Sequence, residues 1–264
     1  MSANPALTLT KKCMVAFIDI LGSKSILCSD DKKGVEEYVR GIRGFNDMIY
    51  DEFPSFHIRT FSDNILIYTD DCSESSIMAM INSVAHLQYE VLCQFKLLMR
   101  GGIVIDDLHW IDDDEDFITG RSIVRAHRIE ESKAKNPRIM MSKKDFSDMR
   151  FYMAPCEYGD CVAKDKDGFL FVNYLQTTMN EGFPNEELIE KHARAIISHT
   201  KADTEKRGEN KEKRERIMMK DVWTLEYHNG FCSANDIPLE ISYDLDGGEN
   251  IIMFAEDVSA DKKG

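Results

Sequence analysis

The sequence lacks the short motifs that mark several common classes of enzyme and metal protein. It contains no P-loop, no GxGxxG, no GxSxG and no HExxH. Its 7 cysteines include no CxxC pair. An odd set without that spacing favours neither a zinc site nor a disulfide framework, and it indicates reduced thiols.

The chain also lacks a long apolar run and an excess of positive charge. No stretch of about 18 apolar residues occurs, and residues 1–12 have no apolar segment of the kind found in signal peptides. The 33 basic and 47 acidic residues give a net charge of −14, which disfavours a protein that coats nucleic acid or an anionic membrane. We therefore expect a cytoplasmic protein that binds neither.

One carboxylate lies inside an apolar strand near the start of the chain. Asp19 stands in the sequence MVAFIDILG, and Asp63 stands at the tip of a hairpin predicted over residues 58–68. Burying an unpaired carboxylate is unfavourable, but two carboxylates at neighbouring strand ends can hold Mg²⁺ or Mn²⁺. The pattern predicts a metal site at Asp19 and Asp63. The missing side chain of Gly22 would let the next turn come near the bound group.

Hydrophobic periodicity predicts a mixed order of strands and helices in the first part of the chain. We expect an acidic, solvated loop over residues 106–116. The order indicates an α+β fold, a ferredoxin-like palm with an antiparallel-rich sheet and helices on one face. Its strands are expected near 12–21, 57–61, 65–69, 97–105 and 138–142, and its helices near 35–49, 74–96 and 121–136.

The pattern changes after Arg150, which predicts a catalytic domain over residues 1–150 and an extension over 151–264 that packs on it. The extension is expected to contain a hairpin that turns on Asp-Gly, then helices near 186–200 and 217–229 joined by an exposed helix or connector at 201–216. His192 and His199 have no partner at metal-ligand spacing, so solvated or half-buried side chains are expected.

Several strings in the first 142 residues resemble class III nucleotidyl cyclases in order and spacing. They are FIDILG with Asp19, RTFSD with Asp63, MRGGI with Arg100, and the segment from Gly120 to Arg128 followed by Glu130. Two later strings, VNYL at 172–175 and WTLEYHN at 223–229, are similar more narrowly to the bacterial pyrimidine cyclases of Pycsar antiphage defence.

The resemblance implies an enzyme that converts UTP or CTP into a 3′,5′-cyclic monophosphate and pyrophosphate. It implies two Mn²⁺ or Mg²⁺ ions held by Asp19, Asp63 and the backbone carbonyl of Ile20. It places Arg128 as the arginine that stabilises the transition state and Arg100 as a phosphate ligand, and guanidinium suits both roles. The expected catalytic residues are Asp19, Asp63 and Arg128, and the expected substrate-binding residues are Arg100, His57, Phe17, Gly22 and Gly120.

Each arginine also has a purely structural interpretation. Arg100 could be a strand residue whose head reaches solvent, and Arg128 could be a helix-surface residue that pairs with Glu131 or Ser132. Three departures from the family matter more. Val124 stands where the family has an asparagine that positions the ribose, and His57 and Phe117 stand where adenylate cyclases have a lysine and an acid. The loss of that purine pattern favours a pyrimidine.

Membership of the family implies further partners. Two palms would pack head to tail as a homodimer, and a separate effector protein would sense the cyclic nucleotide made after phage infection. Two other interpretations stay open: a non-catalytic nucleotide-binding regulator with the cyclase fold, and an adenylate or guanylate cyclase with an unusual base pocket.

Overall fold

The computed structural model describes residues 8–111, 114–141, 144–145, 161–206, 211–243 and 252–254. The chain divides into two compact units. One contains the residues up to Val84 together with Met99–Asn173, and the other contains Ala85–Leu98 and the residues from Tyr174 onward. The predicted domain boundary at residue 150 lies outside the described residues.

The first unit is an α+β structure, and its elements lie close to the predicted ones. Helix α3 (Glu74–Phe95) begins in this unit and ends in the second. The strands are β1 (Thr8–Leu21), β2 (His57–Phe61), β3 (Asn64–Thr69), β4 (Leu98–Ile111), β5 (Asp114–Gly120), β6 (Ile139–Met141), β7 (Val162–Lys164) and β8 (Leu170–Val172), and the other helices are α1 (Ser23–Leu27), α2 (Lys32–Glu52) and α4 (Arg121–Ser132).

The strands form one sheet of mostly antiparallel pairs. Its order is β2-β3-β1-β4-β6-β8-β7, with β5 paired to β4, and the pair β4–β6 is parallel. The segment β1-α2-β2-β3-α3-β4 places β1 between β3 and β4, which is the ferredoxin-like arrangement. The predicted α+β fold and antiparallel-rich sheet are therefore confirmed.

Both faces of β1 are buried. Helix α4 covers one face, where Ala126 packs in a cluster with Val15, Phe17 and Leu108. Met14, Ala16 and Ile18 alternate with these residues, point to the opposite face and are completely buried as well. Helices were expected on one face, and the face opposite α4 is also covered. The apolar run at residues 13–18 of β1 is typical of a strand in a sheet that is buried on both sides.

The prediction of a loop over residues 106–116 was wrong, because β4 continues to Ile111 and β5 begins at Asp114. Two of the acids that suggested a loop, Asp106 and Asp107, have partners on α4. Asp106 accepts hydrogen bonds from Arg121 and Arg125 at 2.8 and 2.7 Å. Burial alone would raise the pKa of Asp106, but its backbone and arginine hydrogen bonds hold it below the usual value. The arginines of α4 therefore neutralise the negative charge of Asp106, which lies in strand β4.

A buried arginine attaches the Asp-Gly hairpin to the sheet. Strands β7 and β8 pair antiparallel, as predicted, and β8 pairs with β6. Arg138, immediately before β6, is 1% exposed and forms ion pairs with Asp165 and Asp167 in the hairpin turn. The sheet of the first unit thus extends past residue 150.

The second unit is mainly helical. Its long helices confirm the two predicted ones, and the second begins earlier, at Lys211, inside the segment predicted as an exposed helix or connector. Among the helices that the structure describes, none combines the length and hydrophobicity needed to cross a bilayer. The elements are a 3-10 helix (Tyr174–Thr178), β9 (Met179–Asn180), β10 (Phe183–Pro184), α5 (Glu186–Lys206), α6 (Lys211–Ala234), β11 (Ile241–Tyr243) and β12 (Ile252–Phe254).

A chain of buried hydrogen bonds crosses the second unit, and we call it the Tyr174–His192–His228 network. The Leu239 carbonyl lies 2.9 Å from His228 Nε2, so this nitrogen carries the proton. His228 Nδ1 then accepts from His192 Nδ1 at 2.9 Å, and His192 Nε2 accepts from the Tyr174 hydroxyl at 2.9 Å. The prediction of solvated or half-buried histidines was wrong, because His192 is 0% and His199 is 8% exposed.

This network makes stability depend on pH. Burial lowers the pKa of His192 and His228 below 6.5, so below about pH 6.5 the unfolded chain binds protons that the folded chain does not. The contribution of these histidines to the free energy of unfolding is therefore fully present above pH 6.5. It falls as the pH decreases, by up to about 1.4 kcal/mol per pH unit for each histidine. The measurement is urea unfolding at pH 7.5, 6.5 and 5.5, followed by Trp223 fluorescence in a Trp110→Phe background.

The variant His192→Phe is expected to be less stable at every pH, because it leaves the Tyr174 hydroxyl and His228 Nδ1 without a partner. Its loss of stability per pH unit should nevertheless be about half that of the parent, since one of two titrating groups is gone. An unchanged slope would contradict the assignment of the acid sensitivity to this network.

Candidate functional site

Asp19 and Asp63 occupy neighbouring positions where β1 meets the β2–β3 hairpin. Asp19 is paired with Asn64 in the β1–β3 ladder, and the backbone N–H of Ile20 donates to the carbonyl of Asp63 at 2.8 Å. Each aspartate side chain is 16% exposed. The antiparallel register thus brings the two predicted metal ligands to the same end of the sheet.

Helix α2 contributes a tyrosine next to this pair. Burial is the main cause that raises the pKa of the Tyr38 hydroxyl to about 12, and the negative charges of Asp63 and Asp19 add to it. The Ser23 hydroxyl, 3.0 Å from the Ile20 carbonyl, donates to that oxygen. Sequence reasoning missed Tyr38, because its position in the helix periodicity indicated only a core residue.

The donor set is suited to a hard divalent cation. Two carboxylates and the Ile20 carbonyl supply oxygen only, which is the chemistry that Mg²⁺ and Mn²⁺ prefer. Within the described part of the chain, no three or more His, Cys, Asp or Glu side chains are grouped as a metal site. A metal bound here would therefore rely on two side chains and on oxygens from backbone, solvent or substrate.

Arg100 lies between two carboxylates. Its Nε is 3.0 Å from Asp19 Oδ2, and its Nη2 is 2.6 Å from Glu130 Oε1 on α4. The Arg100 side chain is 26% exposed, and that of Glu130 is 6% exposed. Burial raises the pKa of Glu130, and the charge of Arg100 opposes this shift. Arg100 is thus engaged by protein carboxylates, and its predicted role as a phosphate ligand stays a prediction.

Arg128 lies on the exposed side of α4. Its backbone carbonyl accepts a hydrogen bond from the Ser132 hydroxyl at 2.5 Å, and its guanidinium forms no ion pair with any residue in the described ranges. Val124, one turn earlier, is 50% exposed. An arginine and a valine exposed together on one helix form a surface that could contact a second molecule.

The other predicted substrate-binding side chains lie near the same strands. Phe17 is 7% exposed and packs against the rings of Phe61 and His127 at centroid distances of 6.3 and 5.1 Å. His57 is exposed and stacks on Tyr68 at 4.9 Å. Phe17 is therefore a core residue with little exposed surface, whereas His57 is accessible to a ligand.

Different structural features explain why glycine stands at each of the two predicted glycine positions. Gly22 has φ of 85° and caps α1, a left-handed conformation that favours glycine. A Cβ on Gly120 would come within 2.6 Å of the Asp107 carbonyl oxygen and 2.8 Å of Leu108 Cα. Gly120 is thus required by the close approach of β5 to β4, whatever it contributes to a ligand.

Comparisons with known proteins find similarity only at the level of solved structures. No family model matches the sequence, and no curated protein matches it significantly. The similar structures include the adenylyl cyclase CyaB from P. aeruginosa, at 17% identity and TM-score 0.48, covering 63% of this chain and 94% of that chain.

Two fungal cyclase domains are similar to the same extent. The monomeric guanylyl cyclase domain of the RhoGC fusion protein from Blastocladiella emersonii has 17% identity and TM-score 0.48, covering 64% of this chain and 98% of that chain. The guanylate cyclase domain of RhGC from Catenaria anguillulae, in complex with GTP, has 16% identity and TM-score 0.46, covering 63% and 96%. These likenesses are too distant to assign an activity, and the candidate site is defined by the residues of this chain.

Proposed function

We propose that the protein is a nucleotide cyclase that makes a 3′,5′-cyclic monophosphate and pyrophosphate from a pyrimidine nucleoside triphosphate, UTP or CTP. The observation that carries the proposal is that Asp19 and Asp63 lie at the same end of the sheet, where Asp19 pairs with Asn64 and the backbone of Ile20 donates to that of Asp63. The sequence resemblance to class III cyclases supports the same two residues.

The reaction needs positioning and charge neutralisation. The ribose 3′-hydroxyl attacks the α-phosphorus in line, and pyrophosphate leaves with the developing negative charge. Asp19, Asp63 and the Ile20 carbonyl would hold two Mn²⁺ or Mg²⁺ ions, which when bound lower the pKa of the hydroxyl and neutralise phosphate charge. Without these ions the two carboxylates would repel a polyphosphate, in a protein whose net charge is already −14.

Arg128 supplies the positive charge that the reacting phosphate requires. Its guanidinium has no carboxylate partner among the described residues and lies on an exposed helix face. In the proposed homodimer this face meets the Asp19 and Asp63 end of the other protomer, so each site takes its acids from one chain and its arginine from the other. Guanidinium can bind two phosphate oxygens at once, which suits this role.

The pyrimidine substrate is supported by the residues at the base-contact positions. His57 and Phe117 replace the lysine and acid of adenylate cyclases, and His57 is exposed on β2. By its resemblance to the Pycsar cyclases, the product would act as a second messenger in the cytoplasm during antiphage defence, read by a separate effector protein. The C-terminal residues would then form an extension of the cyclase core.

The test is incubation of the purified protein with each of the four labelled nucleoside triphosphates and Mn²⁺. The proposal expects one cyclic pyrimidine monophosphate with equimolar pyrophosphate, and no product in excess chelator. Cyclisation of ATP or GTP instead would show an adenylate or guanylate cyclase with an altered base pocket. Nucleotide binding without turnover would show a non-catalytic regulator, for which Val124 in place of the ribose-binding asparagine is the supporting residue.

A further inference from the structure

Asp19 belongs to a line of three charged side chains from three different elements. Arg100, on β4, reaches Asp19 on β1 with Nε at 3.0 Å and Glu130 on α4 with Nη2 at 2.6 Å. The two nitrogens belong to one guanidinium, so a single planar group connects both carboxylates. We call these residues the Asp19–Arg100–Glu130 triad.

We propose that Glu130 and Arg100 are positioning residues for Asp19, and that the triad holds the Asp19 carboxylate in the orientation in which it binds a divalent cation. This inference rests on the metal site of the proposed function. It gives Arg100 a role different from phosphate binding, since its guanidinium is directed at protein carboxylates.

The charges explain why both partners are needed. An arginine alone beside Asp19 would compete with a cation for the carboxylate, because it could turn two of its donors toward it. Glu130, which is almost buried, offsets that charge and pairs with Nη2 of the guanidinium. Arg100 then meets Asp19 through Nε and Oδ2, the single hydrogen bond that the structure shows between them.

Geometry also favours a positioning role. Asp19 lies at the end of a strand and Glu130 on a helix that packs across that strand. A rigid guanidinium between the two limits rotation of the Asp19 side chain. Partners of this kind, one contact removed from the metal, typically change metal affinity or activity by about 10- to 100-fold when they are lost.

The test measures Mn²⁺ affinity of the nucleotide-free protein by the electron paramagnetic resonance signal of free Mn²⁺. Glu130→Gln keeps the size of the side chain and removes its charge, and Arg100→Lys keeps the charge but replaces the planar guanidinium with a single ammonium nitrogen. Each is expected to weaken Mn²⁺ binding about tenfold. The double variant is expected to bind no more weakly than either single variant, because the two residues act as one unit.

The matched control is Glu131→Gln, an exposed glutamate next to Glu130 on the same helix, which should leave Mn²⁺ affinity unchanged. Thermal unfolding checks that each variant is folded, and Arg100→Lys alone decides the matter if Glu130→Gln does not fold. Unchanged Mn²⁺ affinity in the single variants, or additive losses in the double variant, would overturn the triad. A loss of nucleotide affinity in Arg100→Lys with normal Mn²⁺ affinity would establish phosphate binding instead.

The same measurements separate this inference from the proposed function. Wild-type protein that binds Mn²⁺ with the expected variant pattern but cyclises no nucleotide would retain the triad and refute the cyclase. Wild-type protein that binds no Mn²⁺ would overturn the metal site and the triad together.

Discussion

Asp19→Ala and Asp63→Ala are each expected to abolish measurable cyclisation while leaving the protein folded. Each substitution removes a ligand of the proposed metal ions, which would contribute several kcal/mol of transition-state stabilisation. A loss of about 4 kcal/mol corresponds to a rate about a thousand times lower. Product formation from radiolabelled UTP and CTP at saturating Mn²⁺ measures the effect.

The fold should survive these changes, because neither carboxylate fills core volume and each is partly solvated. Circular dichroism and the temperature of unfolding check this point. Asp47→Ala is the matched control, since Asp47 is an exposed acid on α2 whose pairing with Arg43 at 3.8 Å is weak, and it should keep full activity. Normal turnover in Asp19→Ala or Asp63→Ala would refute the metal assignment.

Mixing inactive Asp63→Ala and Arg128→Ala proteins is expected to restore part of the activity. Arg128→Ala alone should cost about 3 kcal/mol or more if the guanidinium stabilises transition-state charge. In a mixed dimer, the intact acids of one chain face the intact arginine of the other, so one of two sites is complete. With random exchange about half of the dimers are mixed, and recovery of about a quarter of wild-type activity follows from the symmetry.

A mixture of Asp19→Ala and Asp63→Ala proteins provides the control. Both acids of a site come from one chain, so no mixed dimer of these two variants has a complete site and none should be active. Subunit exchange is followed independently with two affinity tags. No recovery with Arg128→Ala despite proven exchange would mean that acids and arginine act within one protomer, or that Arg128 is structural.

Much of the fold follows from local pattern. The apolar run of β1, the helical periodicity of α2 and α3, and the glycine turn before α4 predicted elements that the structure contains. These signals are local, because side chains alternate along a strand and recur every three or four residues along a helix. The loop prediction over residues 106–116 was wrong for the same reason, since Asp106 and Asp107 indicate solvent unless their arginine partners on α4 are known.

The residues of the candidate site also fall into two groups: those that the sequence indicated and those that only the tertiary structure brought together. Asp19 stood out in the sequence because a carboxylate in an apolar strand is unusual, whereas Asp63 alone is an ordinary turn residue and gained meaning only together with Asp19. Glu130 and Tyr38 did not stand out as neighbours of that pair, and Arg100 suggested either solvent or phosphate. Their contacts join residues that are distant along the chain, so only the packing of α2, α4 and β4 around β1 shows that Arg100 lies between Asp19 and Glu130.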